Sequence, residues 1–204
     1  MHSSKGSSVK LHLGCFDHVF EGWINTDITL HIFISRAPGL AALLSAFGLI
    51  SPDRYQQYKQ GIFRKVKYLD ATGRFPWTDN FFSIIYTSHM LQNLHEADAI
   101  NCLKECYRVL APGGLVRIAV PDLDTLIRSY DPKNPEEFLT KFFEARQEKD
   151  KNRHHWHYNE NSLRRILSGI GFQSITRCEY RQGRCPELET IEERPPSLFM
   201  EAVK

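Results

Sequence analysis

"LKECYRVLAPGGLVRIAVPD", residues 103–122, joins the end of a helix to a buried strand. Upstream, Glu96, Ala97 and Asp98 suit a helical first turn. Ile100, Leu103, Cys106, Tyr107 and Leu110 then fall at i, i+3, i+6, i+7 and i+10, one face of an amphipathic helix. Pro112-Gly113-Gly114 is the expected stop. The next run, "LVRIAVPD", is almost continuously apolar, as a strand buried on both faces of a parallel sheet should be.

Working outward, "VKLHLG" (9–14), "WINTDI" (23–28), "RKVKYLDA" (64–71) and "FSIIYTSH" (82–89) read as four earlier strands. Helices are expected over 39–47, 52–60, after Asp122 and over 135–147. "NSLRRILSGIGF" is an amphipathic helix with Asn161 or Ser162 near its start and a glycine stop. "SITRCEY" and "SLFMEAVK" are two closing strands, near enough in sequence to pair antiparallel. The pattern is α/β, with a mostly parallel sheet. The link from Cys15 to Gly22 is too short for a helical crossover, so the first crossover helix is expected to be reduced.

Composition narrows the function. A chain of 204 residues builds one sizeable core. Its net charge of +2 offers no broad basic field, so no nucleic-acid partner is expected. The odd count of 5 cysteines, with no signal peptide, points to reduced thiols and a cytoplasmic protein. Cys102 and Cys106, four apart on a helix, read as core, and no Cys or His pair has zinc-site spacing. Residues 1–8 are polar and expected to be disordered. The apolar stretch 30–50 is broken by His31, Arg36, Pro38 and Gly39, which argues against a membrane span. It reads as a buried or lid helix, with an interfacial helix at a membrane surface as the alternative. A homodimer is left open.

Open parallel sheets bind ligands beyond the carboxyl ends of their strands. Those ends offer Gly14, Cys15 and Phe16, then Asp27, Asp70 and Ala71, Ser88 and His89, and Pro121, Asp122 and Asp124. Carboxylates at successive strand ends suit ribose hydroxyls and an exocyclic amine, because an ionised Asp only accepts hydrogen bonds. There is no GKS or GKT loop and no G-x-G-x-x-G, so a nucleoside-like ligand without a pyrophosphate fits better than NAD or ATP.

The ordered blocks "LHLGC", "GWINTDI", "YLDATGRFPWTDNFFSIIYTSHMLQNL" and "LKECYRVLAPGGLVRIAVPD" closely resemble the class I S-adenosylmethionine-dependent methyltransferases. Within them the chain looks like the methyltransferase type 11 group, particularly short members found with polysaccharide-biosynthesis enzymes. The likeness runs over 9–204 as a single domain, with a helical insertion at about 30–61. It implies a Rossmann-like sheet of seven strands with an antiparallel last strand, and S-adenosylmethionine as cofactor. By position, Gly14, Cys15 and Phe16 would face the methionine part. Asp27, with Ile28 beside it, would take the ribose hydroxyls. Asp70 and Ala71 would read the adenine edge, and Ser88 and His89 would line the wall near the transferred methyl.

The chain departs from that pattern at three places. Phe16 stands where the family continues "LGCG", and could fill the methionine pocket, turn outward, or lie against the sulfonium. Gln92 and Asn93 replace the usual acid and histidine. The insertion would reshape the pocket mouth. In "RHHWHYN", residues 153–159, the resemblance brings His155, Trp156 and Tyr158 to the pocket rim. There His155 would be the catalytic base and Trp156 and Tyr158 would hold the substrate; the plainer reading is a scaffold for the next helix. His154 and His157 share helical spacing, but no nearby Cys or acid completes a metal shell. The expected activity is methyl transfer to a small-molecule or saccharide acceptor, in cell-surface polysaccharide synthesis by association. The alternative is a catalytically inactive binding module with an altered cofactor site.

Overall fold

The strand at the heart of the opening stretch is the longest in the sheet. In the computed structural model, which describes residues 9–144 and 153–204, β5 covers Leu110–Pro121. Before it come β1 (Lys10–Leu13), β2 (Trp23–Asp27), β3 (Val66–Tyr68) and β4 (Phe82–Ser88). After it come β6 (Gln173–Cys178) and β7 (Ser197–Val203). The order across the sheet is β3-β2-β1-β4-β5-β7-β6. The first five strands are parallel, and β7 runs antiparallel between β5 and β6. This is the expected α/β arrangement.

Alternation along β5 divides the molecule into two layers. Val116, Ile118 and Val120 join one core with Leu11 and Leu13. That core also takes Cys102, Leu103 and Cys106 of helix α4 (Glu96–Val109) and Leu163 and Leu167 of helix α7 (Glu160–Ile170). Both cysteines of α4 are thus packing residues, fully buried. On the opposite face Leu115 packs with Trp23, Tyr86, Cys185, Leu188 and Ile191. The last two belong to a single-turn helix, α8 (Leu188–Ile191). Between α4 and α7 lie α5 (Leu123–Arg128) and α6 (Pro135–Phe143).

No helix separates β1 from β2, although the two strands are parallel neighbours. Phe20 occupies the sheet face there, its ring stacked on His12 at 4.2 Å and 6°. Asn25 clamps the Phe20 backbone: its Oδ1 accepts the N–H at 3.0 Å and its Nδ2 donates to the carbonyl at 2.9 Å.

Two local readings need correction. Helix α4 ends at Val109, because Leu110 takes extended dihedrals and pairs with Phe82. Pro112-Gly113-Gly114 therefore forms an irregularity inside β5 instead of stopping the helix. Gly113 has φ +76° and donates to the Lys204 carbonyl at 3.0 Å. The cap of α7 is Asn159, not Asn161 or Ser162. Its Oδ1 accepts the Ser162 N–H at 2.9 Å while Ser162 Oγ accepts the Asn159 N–H at 3.0 Å, a reciprocal capping box.

The insertion contains α1 (His31–Arg36), α2 (Leu40–Ala46) and α3 (Pro52–Lys59), followed by a 3-10 turn at Ile62–Lys65. Two of these helices were expected and α1 was not. Ile32 of α1 is buried with Cys15 and Val66. The burial expected of the 40–50 stretch is overturned, since no residue of α2 is buried. Among the described residues no helix is long and apolar enough to cross a membrane. The disorder expected of 1–8, and the final residues of the helix expected over 135–147, lie outside the described residues.

Candidate active site

The carboxyl ends of β1, β2 and β4 open into a cavity of about 510 Å³. All nine residues assigned to a cofactor line it: Gly14, Cys15, Phe16, Asp27, Ile28, Asp70, Ala71, Ser88 and His89. A second cavity, of about 60 Å³, shares Gly14, Cys15, Ser88 and His89 with it and reaches Phe20 and Tyr86 on the opposite sheet face.

The turn after β1 is tied to β2. The Gly14 and Cys15 N–H groups both donate to the Thr26 carbonyl at 2.9 Å. Gly14 needs to be glycine for two reasons: its φ is +74°, and a Cβ there would lie 2.5 Å from Met90 Cγ. Cys15 is buried next to Asp27, and burial first, then that carboxylate, pushes its thiol far above the usual range. Phe16 keeps a left-handed backbone, φ 47°. Its ring turns toward the insertion, with the Arg54 guanidinium 4.6 Å from its centroid. The rings of His31 and Phe63 lie 6.0 and 6.2 Å away. Arg54 is itself held by Asp17 at 3.0 Å.

Two carboxylates stand oriented at adjacent strand ends. Asp27 Oδ2 accepts the Phe16 N–H at 2.9 Å, and its Oδ1 accepts the Thr29 N–H at 2.7 Å. Asp70 Oδ1 accepts the Thr72 N–H at 2.9 Å and the Thr72 hydroxyl at 2.7 Å. A carboxylate has about four lone-pair sites, so each keeps acceptor capacity for a ligand. The acids after β5 serve the scaffold instead. Asp122 caps α5 and pairs with Arg177 at 3.2 Å, and Asp124 accepts from the Asn159 side chain at 3.0 Å.

The opposite wall holds two neutral imidazoles. His89, also left-handed at φ 51°, places Nε2 2.9 Å from Ser197 Oγ. Burial lowers its pKa to about 4, helped by the positive charge of Arg194. His154 is likewise lowered to about 4, chiefly by burial. The "RHHWHYN" segment is fixed by the Gln92 carbonyl, which accepts the His155 N–H at 2.7 Å and the Trp156 N–H at 3.2 Å. That pinning turns His154 into the cavity and leaves His155 exposed against His95, ring centroids 4.3 Å apart. Of the two adjacent histidines it is His154, and not His155, that lines the cavity. Trp156 is 39% exposed and does not line the cavity, nor does Tyr158, which is fully buried in the core.

Gln92 and Asn93, singled out in the sequence as departures near the site, line the cavity, and His154, Met90 and Arg194 are cavity residues that the sequence reading missed. His154 stood in the right motif. Arg194 lies in a loop with no helical or strand period to announce it. Gln92 is 2% exposed. Its Oε1, the Asn93 Oδ1 and the His154 Nδ1 are buried without a hydrogen-bond partner. Among the described residues no group of three or more His, Cys, Asp or Glu could hold a metal ion.

The sheet order, the strand-end cavity and the paired carboxylates define a class I S-adenosylmethionine-dependent methyltransferase. A family profile described as a methyltransferase domain matches residues 31–177. The chain belongs to that family, and its cofactor is S-adenosylmethionine. The matched stretch starts after β2, so Gly14, Phe16 and Asp27 lie outside it. No curated protein matches the sequence significantly. Among solved structures, an S-adenosylmethionine-dependent methyltransferase from Thermotoga maritima aligns with TM-score 0.58 and 13% identity over 98% of this chain and 83% of its own. One from Archaeoglobus fulgidus gives 0.56 and 16% over 98% and 87%. At these identities the likeness is one of fold.

Proposed function

We propose that residues 9–204 form one methyltransferase domain, carrying the 30–61 insertion, that acts on a small acceptor rich in hydroxyl or amino groups. A saccharide is the first choice, and cell-surface polysaccharide synthesis the setting, following the resemblance to the short type 11 members. The observation that carries the acceptor class is the polar wall of the cavity, where Gln92, Asn93 and His154 lie together and the Gln92 Oε1, Asn93 Oδ1 and His154 Nδ1 are buried without a hydrogen-bond partner. Buried polar atoms without partners cost about 1–3 kcal/mol each, so turning these side chains toward a ligand rich in hydroxyl or amino groups is favoured. A cytoplasmic setting agrees with the five free thiols.

The residues present fit the cofactor. A cavity of about 510 Å³ falls within the usual range of ligand sites. Asp27 and Ile28 would hold the ribose, and Asp70 and Ala71 the adenine edge. Gly14, Cys15 and Phe16 would lie along the methionine part, with Ser88 and His89 near the reacting methyl. When bound, S-adenosylmethionine supplies a methyl group already activated by the sulfonium. The chain then has to align an acceptor and exclude water. His89 and His154, neutral far below physiological pH, accept hydrogen bonds from the acceptor and orient it. Such weakly basic imidazoles are poor general bases. The inactive-module alternative rests on Phe16 as a plug and on the Gln92-Asn93 pair; the Phe16 ring stands against Arg54 with the cavity open beside it, and Gln92 and Asn93 remain in the cavity wall.

The test is calorimetry with S-adenosylhomocysteine, then a panel of sugars and sugar nucleotides scored for S-adenosylhomocysteine release. Micromolar binding that weakens about tenfold or more in Asp27→Asn and in Asp70→Asn is expected; each loses a hydrogen bond to a charged acceptor, worth about 1.5–3 kcal/mol. A folded sample giving no heat at millimolar ligand would overturn the proposal.

A further inference from the structure

The insertion leaves an apolar surface without a partner. Residues 37–52 contain no charged side chain. Leu43 is 54% exposed, Phe47 72% and Leu49 70%, with Leu30 and Phe33 also exposed nearby in sequence. No residue of α2 is fully buried, though Leu40 and Leu44 are half-buried, so the helix draws little from the core that its leucines would ordinarily require. None of these residues lines the candidate active site.

The charges around this surface are one-sided. Over residues 30–68 there are six basic residues and a single acid, Asp53. Arg54 is committed to Asp17. Arg36, Lys59, Arg64, Lys65 and Lys67 are all exposed, and among the described residues none lies within ion-pair distance of a carboxylate. Among the described residues the hydrogen bonds of Arg36 and Arg64 go to backbone carbonyls, those of Val66 and Ser35, which gathers both cations at the C-terminal end of α1, where the chain leaves for α2.

We propose that the insertion docks the protein onto an anionic lipid surface. The side chains of Leu43, Phe47 and Leu49 enter the interfacial region, and the flanking cations face acidic headgroups. Exposed apolar residues on and just after a short helix, beside unpaired lysines and arginines, are the composition of an interfacial segment. A second copy of this chain fits poorly, because a symmetric contact would bring two identical sets of unpaired cations together.

The full chain should sediment with vesicles of phosphatidylcholine and phosphatidylglycerol, and not with phosphatidylcholine alone. Added salt should weaken the binding. Leu43→Asp/Phe47→Asp should lose it by about tenfold or more, and so should Arg64→Glu/Lys65→Glu/Lys67→Glu, since each cation near such a surface contributes about fivefold. Circular dichroism and thermal unfolding would establish that both variants fold, and neither alters a cavity residue. Unchanged binding by either folded variant overturns the proposal, as does failure of the wild type to bind anionic vesicles. A concentration-dependent dimer abolished by Phe47→Asp, without vesicle binding, would assign the surface to a second copy instead.

Discussion

Phe16 holds a conformation that bulky side chains adopt only when the surroundings impose it. The left-handed backbone costs about 1–2 kcal/mol. The Arg54 guanidinium over its ring returns about 0.5–2 kcal/mol, and the Asp27 carboxylate holds its N–H. Phe16→Gly relieves the first and forfeits the second. Its stability should change by less than ~1 kcal/mol, and its affinity for S-adenosylhomocysteine by less than about threefold, ~0.65 kcal/mol. A tenfold gain in affinity, read by calorimetry, would show that the ring obstructs the site. Gly14→Ala is the harsher change, since its Cβ meets Met90 from a left-handed backbone. It should cost about 1–3 kcal/mol in urea denaturation. The glycine turn and the two strand-end acids were legible because strand period and side-chain chemistry are local. The partner of Phe16 was not, because Arg54 lies in the insertion, where the resemblance gives no guide. His155, which the resemblance brought to the rim, does not line the cavity for a similar reason. The hydrogen bonds that decide which histidine turns inward come from Gln92, distant in sequence.

At the scale of elements, one strand carries a buried cation. Arg117 is fully buried and its guanidinium lies 2.7 Å from Glu192 and 3.4 Å from Glu201. It also donates to the Gln182 and Glu179 carbonyls at 2.9 and 3.2 Å. These bonds fasten the segment after β6 across the sheet and so position Arg194 at the cavity. Glu192→Ala would leave the cation underpaired and should cost about 3–5 kcal/mol. Chemical denaturation reads that loss, and a cost below ~1 kcal/mol would mean that water replaces the carboxylate. Read in sequence, Arg117 merely interrupts an apolar run, and nothing local names its two glutamates. The cap of α7 slipped by two residues because Asn159, Asn161 and Ser162 all suit a cap, and only the hydrogen bonds choose among them. The helix stop at Pro112 was displaced because Leu110 had a sheet neighbour in Phe82.

For the whole molecule, acid is the predicted weakness. His12 is lowered to about 3, and His89 and His154 to about 4, in each case first by burial. An unfolded chain takes up these protons near pH 6.5, while the folded chain resists them. Between pH 6.5 and about 4 the unfolded state therefore binds more protons, so stability rises with pH across that window and falls on acidification. Thermal midpoints should be nearly constant above pH 7 and drop steadily below 6.5. A flat profile down to pH 4 would show that these imidazoles reach water. The rate of methyl transfer should show no inflection from His89 or His154 between pH 6 and 8. The alternation of strands and helices made the sheet readable in advance, whereas the cover on its second face is irregular chain and left no periodic trace.

That cover also sets an order of events during synthesis. Trp23, Tyr86 and Leu115 wait on Cys185, Leu188 and Ile191 for their shelter. At ~5–20 residues per second, a ribosome that has made β5 needs roughly 4–14 seconds more to reach Ile191. Throughout that interval a sheet formed from the first five strands has only Phe20 over that apolar face, and β7, which must slot between β5 and β6, does not yet exist. A nascent chain stalled before Ile191 is expected to bind chaperones that hold hydrophobic segments.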